Sequence, residues 1–209
     1  MIALPNYADI NGRPMKKLQI QQYLRKLQLN DFEPAVNLAT LTKLQDAHLK
    51  YIPYENFDSL NGKITSLKRQ DMFNKVIMHN RGGICFELNG LYNWLLESLG
   101  FEVTSYAARF IDKMETYQLR RHRVMCVALG EKRYLTDVGV NSESPRVPLE
   151  ITEGLIQSDG ISQYKFTRSE FWGWLLWQKE RGKIWKRLFG FTEEPQIDKD
   201  FITASFWCD

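Results

Sequence analysis

Cys85 follows Gly82 and Gly83 and heads an apolar series, Leu88, Leu91, Tyr92, Leu95, Leu96 and Leu99, whose i, i+3, i+4 spacing predicts a helix stopped by Gly100. A cysteine just inside a helix N-terminus faces unpaired backbone N–H groups and the positive end of the macrodipole, both of which favour a thiolate. The two glycines allow a substrate carbonyl to approach closely. That is a nucleophile's setting, with a small buried hydrophobe as the alternative that free cysteines often adopt.

A thiol nucleophile needs a base, and a base needs an orienting group. His122 opens a predicted strand and Asp137 lies near the end of the next, with Gly130-Glu131 as the turn between them. If those two residues form the whole hairpin loop, His122 faces Gly139 and Asp137 faces Val124, so His122 and Asp137 share a face. Their Cβ atoms are then diagonal neighbours up to ~7–8 Å apart, a gap that the two side chains can bridge. A four-residue loop from Leu129 to Lys132 keeps this parity, whereas a three-residue loop reverses it. Cys85, His122 and Asp137 are therefore the candidate catalytic residues. His48, on the apolar side of a helix, and His79, near a helix C-terminus, are the competing bases, and neither has an acidic partner on a shared strand face. Asp137 has its own alternative as a turn or barrel-end carboxylate.

The elements that must position these groups fall into two stretches. Lys16 to Leu29, with Leu18, Tyr23, Leu24 and Leu27 apolar, reads as a helix. Thr40 is placed to cap a second helix carrying Leu41, Leu44 and His48, and a third begins at Asp71 and runs through Phe73, Val76 and Ile77. After Gly100 the period changes: Glu102 to Phe110, His122 to Leu129, Arg133 to Val140 and Ser162 to Thr167 read as strands. The aromatic, basic stretch from Phe171 to Phe191 is expected to be helical. Helices first and strands after predict an α+β fold, a helical part followed by an antiparallel sheet or barrel.

Of the 209 residues, 44% are hydrophobic and 25% charged, which describes a folded globular chain rather than a disordered one. A net charge of +3 is too small and too dispersed to predict nucleic-acid binding. No apolar run approaches the ~20 residues that cross a bilayer, and Met1 to Asp9 lacks a signal-peptide pattern. Three widely spaced cysteines, Cys85, Cys126 and Cys208, give no zinc signature and suit a reducing compartment, so the cytoplasm is the expected location.

Arg81-Gly82-Gly83-Ile84-Cys85-Phe86-Glu87-Leu88-Asn89-Gly90 resembles the active-site signature of the arylamine N-acetyltransferase family. Ile52-Pro53-Tyr54-Glu55-Asn56-Phe57 is similar to the family's IPFEN-type segment, and Tyr134-Leu135-Thr136-Asp137-Val138-Gly139 to the strand bearing its aspartate. The resemblance runs from about Lys16 to Phe201. It implies Cys85 as nucleophile, His122 as base and Asp137 as its orienter, with acetyl-CoA as co-substrate, no metal, and an arylamine, hydrazine or arylhydroxylamine as acceptor. No coenzyme-binding residue is assigned. It also implies a helical domain over 1–83 and a catalytic helix with a β-barrel over 84–168, in a cysteine-protease-like core. Over 169–209 it implies an interdomain helical and aromatic segment that starts a C-terminal α/β lid, truncated in this chain. Where the family often has Gly-Phe-Gly, this chain has Gly139-Val140-Asn141, which removes an aromatic ring from one pocket wall. Tyr54, Phe57, Phe86 and Phe110 are candidate pocket aromatics, Arg81 and Glu87 candidate braces of the loop, and Arg120, Arg121 and Arg123 either phosphate contacts or a solvated run. An amide synthase, a thiol hydrolase and an inactive homologue serving as a binding module remain alternative readings.

Overall fold

Asn37, rather than Thr40, starts the helix that carries His48. In the computed structural model, which describes residues 12–111, 118–140 and 143–208, α1 spans Lys17–Lys26 and α2 spans Leu38–Tyr51. The readings at residues 1–9 and at Asn141 lie outside the described residues. The Asn37 side chain accepts from the Thr40 N–H at 2.8 Å, the N-cap bond that typically contributes ~1 kcal/mol. Tyr23 and Leu24 of α1 and its C-cap Leu27 meet Leu41 and Leu44 of α2 in one core, while Leu18, expected on that stripe, is exposed. A short α3 (Phe57–Leu60) and α4 (Arg69–Phe73), which runs on into a π-turn over Asn74–Met78, lead to α5 (Cys85–Ser98). From Cys85 to Leu96 every residue of α5 is buried. It lies between the other helices and a sheet, sharing its core with Met125, Val127, Tyr134 and Val138.

The sheet comprises β1 (Glu102–Phe110), β2 (His122–Leu129), β3 (Lys132–Thr136), β4 (Leu149–Glu150), β5 (Gln157–Ser158), β6 (Ser162–Ser169), β7 (Gly173–Glu180) and β8 (Lys186–Gln196). Its order is β4-β3-β2-β1-β8-β7-β6-β5, with antiparallel pairing throughout. Leu129 pairs with Lys132, so Gly130-Glu131 is the two-residue loop that the sequence requires, with Gly130 at φ +63°. The outermost strands β4 and β5 approach through Gln157. Its side-chain Nε2 donates to the Glu150 carbonyl at 2.9 Å, and its Oε1 accepts from the Glu150 N–H at 2.7 Å. One amide thus replaces a backbone rung, and the α+β chain forms a nearly closed antiparallel barrel.

The expectation of a helix over Phe171 to Phe191 is overturned, because β7 and β8 occupy that stretch. Trp174, Leu176, Phe189 and Phe191 enter the barrel core, whereas Trp177, Lys179 and Arg187 stay partly exposed. Gly173, at φ +74°, starts β7 where a Cβ would stand 2.4 Å from the Phe191 carbonyl oxygen. Helix returns only beyond the sheet, in a 3-10 turn over Asp198–Phe201 and in α6 (Ile202–Cys208). Strand β3 also stops four residues short of Val140, because the Val138 N–H leaves the ladder and donates to Asn89 Oδ1 at 2.9 Å.

Candidate active site

The hairpin register decides the first contact. His122 Nε2 donates to Asp137 Oδ2 at 2.7 Å, with both side chains fully buried. Asp137 Oδ1 accepts from the Gly139 N–H and from Asn89 Nδ2, each at 2.8 Å. Asn89 also donates to the Arg123 carbonyl at 2.6 Å, so one side chain on α5 ties the helix to β2 and to the segment that follows β3. Because Asn89 lies four residues after Cys85, the two share a helix face. The close approach completes the convergence: a Cβ on Gly139 would stand 2.8 Å from Cys85 Cα. Cys85 itself is 8% exposed, and its thiol donates to the Arg121 carbonyl at 3.7 Å.

With Nε2 committed to Asp137, Nδ1 is the imidazole nitrogen left for the thiol, and it has no hydrogen-bond partner among the described residues. Burial alone would pull the imidazolium down. The Asp137 charge and hydrogen bond, helped by Cys85, outweigh it and hold His122 at about 10. Phe110 and Phe189 enclose the ring, with centroids at 5.0 and 5.4 Å, and so restrict its orientation. Around the head of α5, Glu87 Oε2 accepts from the Ile84 N–H at 3.0 Å, and Lys75 Nζ donates to Glu87 Oε1 at 2.8 Å. Burial pushes the Glu87 carboxyl up, and the Lys75 contact opposes that rise. Arg81 pairs instead with Glu55 at 2.8 Å and Asp58 at 3.2 Å. Both expected braces are thus seen, each through its own partner.

The other candidates scatter. His48 is buried between the rings of Tyr23 and Tyr92, away from any carboxylate partner among the described residues, and His79 is exposed. Phe86 is core, whereas Tyr54 and Phe57 are 39% and 62% exposed. With Asn56, Asn80 and Arg81 they line a cleft of about 680 Å³. Tyr54 is fixed to the nucleophile loop by a bridge to Gly83, and burial, then Cys85 and Cys208, push its hydroxyl up to about 12. Cys126 belongs to the barrel core, where burial pushes its thiol up to about 11. Arg120 meets Glu194 at the surface, and Arg121 is exposed. Arg123 is neither solvated nor free, since its guanidinium is bound to Ser105 and Asp198. Sequence reasoning missed Asn89 and Asp198. The first was findable at i+4 from Cys85, whereas the second acts across 75 positions in the chain.

A buried helix with a cysteine at its head, packed on an antiparallel barrel that carries a buried histidine–aspartate pair, defines an α+β protein with a cysteine-protease-like core. The profile of the N-acetyltransferase family matches residues 37–209, and the chain belongs to that family. It is 31% identical to the arylamine N-acetyltransferase of Escherichia coli over 174 residues, covering 83% of this chain and 61% of that protein. To the Mycolicibacterium smegmatis enzyme of the same name it is 34% identical over 191 residues, 88% of this chain and 68% of that one. The solved structure of Mycobacterium marinum arylamine N-acetyltransferase in complex with CoA superposes with a TM-score of 0.81 at 26% identity, covering 90% of this chain and 70% of that one. The chain thus spans about three fifths of the length of the Escherichia coli relative.

Proposed function

We propose that this chain is an acetyl-CoA-dependent N-acetyltransferase that moves an acetyl group to arylamines, hydrazines or arylhydroxylamines through an acetyl-Cys85 intermediate. The convergence of Cys85, His122 and Asp137 carries the reading, and the family relationship and the CoA complex of the Mycobacterium marinum relative support the donor. In the first half-reaction Cys85 Sγ, its proton held by His122 Nδ1, attacks the thioester carbonyl. The bond to CoA sulfur breaks, and His122 returns the proton to the departing thiolate. In the second, the acceptor nitrogen attacks acetyl-Cys85, the C–S bond breaks, and His122 takes the amine proton and delivers it to the Cys85 sulfur. Asp137 fixes the tautomer and the ring orientation throughout. Arylamines suit this cycle because they remain unprotonated nucleophiles near neutral pH, and the cleft at Tyr54 and Phe57 offers aromatic surface beside the nucleophile loop. Cys85, Cys126 and Cys208 form no disulfide among the described residues, and a reducing, cytoplasmic setting is part of the proposal. Among the described residues no helix is long and apolar enough to cross a membrane.

Intact-mass measurement after mixing with acetyl-CoA tests the reading. Wild-type protein is expected to gain about 42 Da, the acetyl group replacing a thiol hydrogen in the covalent intermediate. Cys85→Ala is expected to gain nothing. Absence of the adduct in folded wild-type protein overturns the proposal.

A further inference from the structure

The segment that follows the barrel returns to the nucleophile. Phe201 packs with Ile84, Cys85 and Phe86, its ring centroid 5.9 Å from that of Phe86, and Ala204 and Cys208 pack against the same group. These residues, at i, i+3 and i+7, form one face of the 3-10 turn and α6. The Cys85 residue in this cluster is 8% exposed.

The Asp198 carboxylate joins this segment to two arginines. Asp198 Oδ1 accepts from Arg123 Nη2 and Asp198 Oδ2 from Arg69 Nε, both at 2.8 Å. Neither cation is loosely held. Arg123 donates Nε and Nη2 to Ser105 Oγ at 3.1 and 2.9 Å, and its guanidinium lies 4.7 Å from the Phe201 ring centroid. Arg69 also donates Nη2 to Glu97 Oε2 at 2.7 Å. The anchor is joined to the reacting groups as well: Arg123 follows His122 in β2, and its carbonyl accepts from the same Asn89 that holds Asp137.

We propose that Asp198 is a positioning residue that seats the 198–208 segment over Cys85, so that water is kept from the acyl-enzyme while the acceptor is awaited. The role in acyl transfer rests on the acetyl-Cys85 reading, whereas the seating itself does not. Two charge-assisted bonds to rigid partners hold the seat closed, and loss of the carboxylate charge raises the fraction of time that the cover is lifted.

Alkylation of Cys85 by iodoacetamide, followed by peptide mapping across a pH series, reads the seat without any acetyl donor. Asp198→Asn keeps the side-chain shape and is expected to raise the plateau alkylation rate of Cys85 about tenfold, the scale of a lost charged hydrogen bond. The pH midpoint is expected to stay in place, because His122 and Asp137 are untouched, and Asp198→Glu is expected to restore most of the protection. Phe201→Leu, which leaves both ion pairs intact, is a second variant expected to act in the same direction if the first folds poorly. An unchanged plateau in folded Asp198→Asn and Phe201→Leu overturns the proposal, as does a shifted midpoint at constant plateau, which would mark an electrostatic effect on the triad. With acetyl-CoA and no acceptor, Asp198→Asn is also expected to release acetate faster than wild type. If wild type never acylates, the function reading fails while the alkylation result still judges the seat.

Discussion

Replacing Asp137 by Asn isolates what the buried carboxylate does for the imidazole. The substitution keeps the Oδ1 acceptor for the Gly139 N–H and Asn89 Nδ2, so the local fold is preserved, but it removes the charge beside His122 Nε2. An amide N–H facing Nε2 also forces the ring proton onto Nδ1, the nitrogen that must take the thiol proton. With His122 at about 10, essentially all of the imidazole is protonated at pH 7.5. Without the Asp137 charge, burial leaves it at or below the ordinary 6.5, and at most about 9% is protonated at that pH. The imidazolium available to hold a thiolate at Cys85 is therefore expected to fall by about tenfold or more at pH 7.5. Cys85 alkylation rates, measured by peptide mapping from pH 5 to 10, are expected to drop by that factor at pH 7.5, with the rise of the profile moving to higher pH. A rate within twofold of wild type at pH 7.5, with an unmoved profile, refutes the argument that Asp137 holds the imidazolium.

Two further outcomes follow from the geometry. Gly139→Ala puts a Cβ 2.8 Å from both Cys85 Cα and Asn89 Nδ2, so the rate of acetyl-Cys85 formation is expected to fall about a hundredfold, the scale of a 1 Å misplacement; stopped-flow release of CoA checks this, and a loss under threefold refutes it. His48 is held neutral by burial, its pKa lowered from 6.5 to about 3. The unfolded chain therefore binds this proton first as the pH falls, and stability is full above 6.5 and lost progressively toward 3. At pH 5 the loss is about 2 kcal/mol, from 1.5 pH units at ~1.36 kcal/mol each. Urea unfolding of wild type and His48→Leu at pH 7 and pH 5 is expected to show that part of the acid loss only in wild type, and equal losses in both refute it.

The arrangement of the candidate site residues was legible because local rules govern it. A Gly-Gly break before an amphipathic run placed Cys85 at a helix start, and a two-residue turn fixed the parity that joins His122 to Asp137. The stretch from Phe171 to Phe191 was illegible for a physical reason. Trp174-Leu175-Leu176 are all buried, since β7 has barrel core on one side and packing on the other around Leu175. A continuous apolar run erases the period of two by which a strand declares itself. Asp198 was hidden differently, because an acid in a polar turn carries no sign that two arginines more than 70 positions upstream will meet it.

The Gln157 amide that joins the ends of the sheet has a consequence for solubility. Strands at a sheet margin normally offer rows of unpaired N–H and C=O groups on which another chain can grow. Here the two marginal strands are only two residues long, and the free rung at Glu150 is already occupied by a side chain. The Glu150 rung of this barrel therefore offers no free backbone pair on which a strand of another chain could add.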